Sequence, residues 1–261
     1  MATELLYTLG SVVLVSLISL IGVVTLSIRD RTLRKFLLYF VSFSAGALLG
    51  DAFIHLIPEA VEGVGFTVRV SAYILLGIVV SFAVEKVIHW KHCHHPGFHM
   101  GALKGLKARG KEQKKTVASM NLFGDGIHNF IDGLIIGGSY LVSIPLGIAT
   151  TLAVIFHEIP QEIGDFGVLL HGGFTKGRAI FFNFLSALTA VAGGLIAILL
   201  GSSIEGLSIF LVTFAAGSFI YIASANLLPE LHKEAHLGKS LAQLLFFIIG
   251  IGVMFALLSV G

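Results

Sequence analysis

Two stretches of this chain, NLFGDGIHNFIDG (121–133) and HEIPQEIGD (157–165), set imidazole, carboxylate and carboxamide groups at helical spacing inside otherwise apolar sequence. Asp125, His128 and Asp132 stand three and four residues apart and share one helix face, with Asn129 beside them. His157, Gln161 and Asp165 form an i, i+4, i+8 stripe, and Glu158, Glu162 and Asp165 form an adjoining one. Nitrogen and oxygen donors converging from facing helices are how helix bundles hold metal ions, singly or in pairs. A donor set without thiolate suits Zn²⁺, Fe²⁺, Mn²⁺ or Co²⁺ and disfavours Cu⁺. Carboxylates also offset the charge of an ion held in low dielectric. The competing reading is that these groups pair with one another as buried glue between helices. A charged group at bilayer depth costs at least ~2.5–3.5 kcal/mol, so about nine polar groups on two helices call for more than glue.

The elements that position these groups are membrane helices. With 56% of its 261 residues apolar, 12% charged and a mean hydropathy of +0.94, the chain departs from soluble domains, in which about 25% of residues are charged. Apolar runs bounded by charge, Gly or Pro predict spans near Leu5–Ile28, Phe36–Pro58, Val68–Ile88, Val117–Leu141, Pro145–Leu170, Ala179–Leu200, Leu207–Leu228 and Ser240–Val260. The runs are continuously apolar, without the period-2 alternation of a membrane β-barrel. The first lacks a basic leader and a small-residue cleavage site, so it reads as a retained helix. The expected fold is all-α: one polytopic membrane domain over residues 1–261, in a plasma or inner membrane. A single cysteine, Cys93, leaves no internal disulfide.

Orientation follows from Lys and Arg, which remain on the cytoplasmic side. Sixteen of the 17 basic residues fall between spans 1 and 2, between spans 3 and 4, or after spans 5 and 7, and Arg69 alone falls on the other side. Eight spans with both termini extracytoplasmic satisfy this segregation. Spans 4 and 5 are joined by the short uncharged segment GGSYLVSIPLG, which forces them antiparallel and turns their polar stripes toward each other. Pro160, inside span 5, frees the carbonyl of Phe156 and bends the helix at the depth of the stripe.

Sliding the chain by 171 residues lays Phe40–Ala60 over Leu211–Leu231, with identities at Val41, Phe43, Ala45, Gly46, Ala52, Leu56, Pro58 and Glu59. The predicted topology inverts the two copies, so spans 1–3 and 6–8 form an inverted repeat around the span 4/5 pair, a mark of secondary transporters. Span 2 adds Asp51, His55 and Glu59 as a third stripe, suited to lining the route or shuttling protons, and Ile222 replaces Asp51 in the repeat. Residues 89–116 form a cytoplasmic His/Lys-rich loop. Its tract HWKHCHHPGFH, with His89, His92, His94, His95 and His99, suits reception or buffering of a transition metal. The Lys run after it is ordinary positive-inside charge facing anionic lipid.

With these motifs in order on the right spans, the chain resembles the ZIP (Zrt/Irt-like) divalent-metal transporters over essentially its whole length. It is most similar to the branch whose fifth span reads H-E-x-P-H-E-x-G-D. The resemblance implies an elevator-like or rocking transporter that brings Zn²⁺, or Fe²⁺, Mn²⁺ or Cd²⁺, into the cytoplasm through a binuclear centre between spans 4 and 5. Carried over by motif, His128, Asp132, Gln161 and Asp165 line one metal site, and Asn129, Asp132, Glu162 and Asp165 the second, with Asp132 and Asp165 bridging. His157 and Glu158 match the motif's opening pair beside the route, and Asp51 and His55 match polar positions near it. Asp125 and Asn183 complete the implied pathway. Gln161 departs from the branch, which carries His there. Span 6 departs too, offering Asn183, Ser186 and Thr189 where some relatives supply a carboxylate. A homodimer is also implied.

Transport competes with two other readings. HEIPQE begins like the zinc-protease motif H-E-x-x-H, but Gln161 stands where the second His belongs, so a metallohydrolase is disfavoured. A metal sensor using the His tract lacks a soluble output domain. No Walker motif points to ATP, and nothing points to a nucleic-acid partner. The chain reads as a transporter and not an enzyme, with lipid around it, no catalytic cofactor and the divalent ion as its substrate.

Overall fold

The computed structural model describes residues 2–25, 30–93, 106–201, 203–204 and 206–259. All regular structure among them is helical. Eight helical segments follow one another: α1 (Ala2–Val24), α2 (Leu37–Glu62), α3 (Val68–Lys86), α4 (Leu106–Val142), α5 (Ile144–His171), α6 (Lys176–Gly201), α7 (Leu207–Leu231) and α8 (Leu237–Leu257). Six of them, all but α4 and α5, are long and apolar enough to cross a membrane. The other two carry the acids and histidines of the two motifs and pack among the rest, against α1, α2, α6 and α7. Polar side chains on these two helices are shielded by the apolar ones around them, as lipid requires.

Local chemistry sets the helix ends. Ser143, extended and alone between α4 and α5, caps α5 by accepting a bond from the Leu146 amide, with Pro145 in the first turn. Thr175 caps α6 in the same way through the Arg178 amide. Gly65, at φ 73°, closes α2 in a conformation that a side chain resists. Helix α4 begins earlier than its apolar run, at Leu106, so the Lys-rich half of residues 89–116 is helical rather than loop. Lys, Arg, Gln and Glu are all good helix formers, and a solvated turn can extend a membrane helix. Helix α3 likewise continues as backbone to Cys93.

The helices sort into two groups. In one, α2 lies on α8, α3 lies on α7, and α2 and α7 join these pairs. In the other, α4 lies on α6 and α5, with α1 against all three. The groups meet along a seam where α2 touches α5 and α7 touches α4.

Three pairs are drawn together by reciprocal glycines. A Cβ on Gly46 would strike the Phe247 carbonyl of α8, and one on Gly250 would strike the Phe43 carbonyl of α2. In the second copy, a Cβ on Gly217 would strike the Ile74 carbonyl of α3, and one on Gly77 would strike the Phe214 carbonyl of α7. Gly133 and Gly193 lock α4 to α6 against the carbonyls of Ala190 and Phe130. Close backbone approach through small residues is how helices associate where lipid removes the usual hydrophobic drive. Phe43 and Phe214, like Gly46 and Gly217, are related by the 171-residue repeat, so the repeat read in the sequence extends to three-dimensional packing.

A second shared feature is local. Asp51–Leu56 in α2 and Ile222–Leu227 in α7 are both π-helical turns, again 171 residues apart, and both run into a proline, Pro58 or Pro229, in the next turn. The wider π turn changes what shares a face. Asp51, His55 and Glu59, read from α spacing as one stripe, therefore part company. Asp51 is fully buried beside the Thr150 hydroxyl of α5, while the His55 Nε2 lies 2.9 Å from the Met254 carbonyl of α8.

Candidate metal centre

Four side chains from α4 and α5 converge: His128, Asp132, His157 and Glu158, with one donor atom of each within 4.8 Å of all the others. The Nε2 atoms of His128 and His157 are 3.2 Å apart. Asp132 Oδ2 lies 3.6 Å from His128 Nε2 and 3.1 Å from His157 Nε2. Glu158 Oε1 lies 3.3 Å from the former and 3.4 Å from the latter. A tetrahedral ion with bonds of ~2.0–2.2 Å holds its ligands ~3.3–3.6 Å apart along each edge. The five edges measured here, 3.1–3.6 Å, match that figure with two nitrogens and two oxygens.

The surroundings favour a cation. Both oxygens of Asp132 and of Glu158 are buried without a hydrogen-bond donor, an arrangement that is costly unless something positive completes it. His157 is fully buried, and its Nδ1 sits 3.1 Å from the Ala153 carbonyl. A carbonyl only accepts, so Nδ1 carries the hydrogen and the Nε2 lone pair faces the cluster. The Phe219 ring of α7 meets the His157 ring edge to face, at 5.9 Å between centroids, and closes the apolar side.

The remaining motif residues are stitched to α6 and to each other. Asn129 Nδ2 donates to Asp125 Oδ1 at 2.9 Å, Ser186 Oγ donates to Asp125 Oδ2, and Asn183 Nδ2 donates to Glu162 Oε2. Thr189 Oγ1 donates to the Gly126 carbonyl at 2.6 Å. Asn121 Nδ2 donates to Asp165 Oδ1 at 2.8 Å. Oxygens of Asn129, Glu162 and Asn183 are buried with no donor. The polar residues of α6 thus supply amide and hydroxyl groups to an oxygen-rich second cluster.

Two successive turns of α5 face α4. Gln161 and Asp165 line the adjoining cavity with Asp125 and His128. His157 and Glu158, one turn earlier, reach His128 and Asp132. The carbonyl that Pro160 frees, that of Phe156, accepts from Ser44 Oγ of α2 at 2.5 Å, so a hydroxyl from across the seam occupies the break. The side chains of His89 and His92 lie outside the described residues, as do His94, His95 and His99 altogether.

The cavity, about 170 Å³, opens from His128 into the seam between the two helix groups. Its far wall holds residues that sequence reasoning passed over: Ser81 and Glu85 of α3, and Ser218 and Tyr221 of α7. Tyr221 donates to Glu85 Oε2 at 2.6 Å, and the hydroxyls of Ser81 and Ser218 are 2.8 Å apart. The available signal was a lone acid late in an apolar run, at the place where a span boundary explains it equally well.

The chain is similar to known proteins over most of its length. The family model described as ZIP Zinc transporter matches residues 3–113 and 91–258. A zinc transporter of Rattus norvegicus, SLC39A7, is 33% identical over 95% of this chain and 71% of its own length. The zinc transporter zipt-7.1 of Caenorhabditis briggsae is 32% identical over 84% of this chain and 70% of its own, and the ZIP13 homolog of Drosophila melanogaster 32% over 87% and 78%.

Proposed function

The chain belongs to the ZIP zinc transporter family, and from that premise we propose that it carries Zn²⁺ into the cytoplasm through the cluster of His128, Asp132, His157 and Glu158. It is a multi-pass membrane protein and a transporter, not an enzyme. The observation that carries the site assignment is the set of five donor separations matching the edges of a zinc tetrahedron, with carboxylate oxygens that otherwise lack hydrogen-bond donors. Two imidazoles and two carboxylates form a site of net charge −2 that balances the ion's own charge, which low dielectric demands.

A second ion sits in the oxygen-only group of Asn129, Glu158, Glu162 and Asn183, whose donor-less oxygens support it. Such a site is harder in character and binds zinc more weakly than the first. All eight helices cross the membrane with both termini outside, as the charge segregation of the loops supports. Transport follows from sliding of the α1, α4, α5 and α6 group, which carries the ion, along the α2, α3, α7 and α8 group. Glycine-locked pairs within each group and a polar, cavity-bearing seam between them support that division.

The test is uptake of radioactive zinc by proteoliposomes containing the wild type, His157→Ala or Glu158→Ala, with Mn²⁺, Fe²⁺ and Cd²⁺ as competitors. Uptake by the wild type that either substitution abolishes supports the reading, and undiminished uptake by both refutes the site.

A further inference from the structure

Asp125 and Asp132 share a face of α4 but differ in their surroundings. Both oxygens of Asp132 are buried without a donor, whereas both oxygens of Asp125 already have one. Asn129 Nδ2 donates to Asp125 Oδ1 at 2.9 Å, and Ser186 Oγ of α6 donates to Asp125 Oδ2. Asn129 Nδ2 also reaches the Asp125 backbone carbonyl, at 3.1 Å. An amide NH2 carries two hydrogens, so Asp125 accepts from both of them. Asn129 Oδ1, at the other end of the amide, is buried with no donor.

Those contacts decide which way the carboxamide points. A carboxamide meets a cation through its oxygen, and its two ends are so alike in shape that packing does not choose between them. Turned over, Asn129 would set its oxygen against a carbonyl and a carboxylate with no hydrogen between them, and would present an NH2 where an ion belongs. The Asp125 carboxylate excludes that arrangement. Ser186 holds the carboxylate in turn: its hydroxyl has the Asn183 and Phe182 carbonyls at 2.9 and 3.2 Å as other acceptors, and the charged acceptor makes the stronger bond. Thr189 ties the same turn of α4 to α6 through the Gly126 carbonyl. Asn183 offers a comparison. Its Nδ2 also has two acceptors, Glu162 Oε2 and the Ser19 carbonyl at 3.4 Å, and its Oδ1 is also buried without a donor. We propose that Asp125, held by Ser186, is a positioning residue for the second ion: it turns the Asn129 oxygen toward that ion and binds no ion itself. The inference rests on the two-ion reading above.

The test is calorimetric titration of the purified protein in nanodiscs with Zn²⁺, following the second equivalent. Asp125→Leu removes the acceptor and weakens that equivalent about tenfold or more, as loss of a group that supports a metal ligand does. Asp125→Asn still offers an oxygen to Asn129 Nδ2 and an NH2 to Ser186 Oγ, and weakens it less than about threefold. Asn129→Asp puts an oxygen at either end of the side chain and sets it against Asp125. In that background Asp125→Leu leaves the second equivalent unchanged or tighter. This reversal separates orientation from ligation and from packing, both of which call for weakening in either background. Weakening beyond threefold by Asp125→Asn, none by Asp125→Leu, or weakening by Asp125→Leu in both backgrounds overturns the proposal. Thermal unfolding in EDTA reads the same contact without metal: Asp125→Leu lowers Tm when made alone and raises it in the Asn129→Asp background, and a fall in both overturns the orientation. If Asp125→Leu does not fold, Asp125→Asn serves in the Asn129→Asp background, where its NH2 meets the new carboxylate and raises Tm; a fall there overturns the orientation too. A wild type that binds a single Zn²⁺ equivalent overturns the two-ion reading, and the EDTA result then decides the orientation alone.

Discussion

Exchanging His157 for alanine removes one of four donors, and its effect should differ sharply from the same change at Gln161. His157 Nε2 forms three of the five measured edges of the cluster, at 3.2, 3.1 and 3.4 Å from His128, Asp132 and Glu158. Losing it leaves a buried three-donor site, with no neighbouring nitrogen to substitute because the Phe219 ring covers that side. Loss of a group that merely supports a metal ligand weakens binding ~10- to 100-fold, so loss of a ligand itself should reach at least the upper figure, ~2.7 kcal/mol. Gln161 lines the adjoining cavity, and under the proposed four-donor assignment Gln161→Ala should weaken binding less than about threefold, ~0.7 kcal/mol. The assay is calorimetric titration of the purified protein in nanodiscs with Zn²⁺, with Co²⁺ absorption reporting coordination number. The intensity of the Co²⁺ bands should fall in His157→Ala and persist in Gln161→Ala. Equal weakening by the two substitutions would refute the geometric assignment and restore Gln161 as a ligand.

Three further outcomes follow from contacts described above. Ser44→Ala leaves the Phe156 carbonyl without its donor and should destabilise the protein by ~1–3 kcal/mol in denaturant titration, with little change in zinc affinity. Gly46→Ala and Gly217→Ala, at equivalent places in the repeat, each force a helix pair apart and should each lower stability by ~1–3 kcal/mol; a large inequality between them would argue against matched packing in the two halves. Asn183→Asp adds a carboxylate beside Glu162 and should tighten the second zinc equivalent in titration while leaving the first unchanged.

Much of this molecule was legible because lipid leaves few options for a chain. Apolar runs gave helix positions to within a few residues except at the start of α4, which extends back to Leu106 through polar sequence. The repeat was visible in Gly46, Pro58 and Glu59 because close helix contact and helix breaking tolerate few alternatives. That α4 and α5 face each other followed from their short connection. What stayed hidden is a matter of phase and depth. The π turn at Asp51–Leu56 has no mark in local residue types, so Asp51 and His55 looked aligned though they reach different helices. Helical spacing placed Gln161 beside His157 on one stripe but said nothing of which turn meets His128, because that depends on how far α5 slides along α4. Glu85 and Tyr221 come from distant parts of the chain, and only the folded helices make them partners.

The hydroxyl of Ser44 has two acceptors: the Phe40 carbonyl in its own helix, at 2.8 Å, and the Phe156 carbonyl across the seam, at 2.5 Å. In the proposed sliding of α5 past α2, that hydroxyl can return wholly to its own turn, and only the Phe156 carbonyl is left to find water or another donor. The expense of parting is therefore confined to one acceptor, ~1–3 kcal/mol, which corresponds to a bias of roughly 5- to 150-fold between two arrangements. A contact of that size acts as a detent and not a lock: it keeps one resting position populated, and thermal motion can still release it. Under the proposed motion, the same proline that opens the helix beside the His128 cluster thereby sets how firmly the sliding group clicks into place.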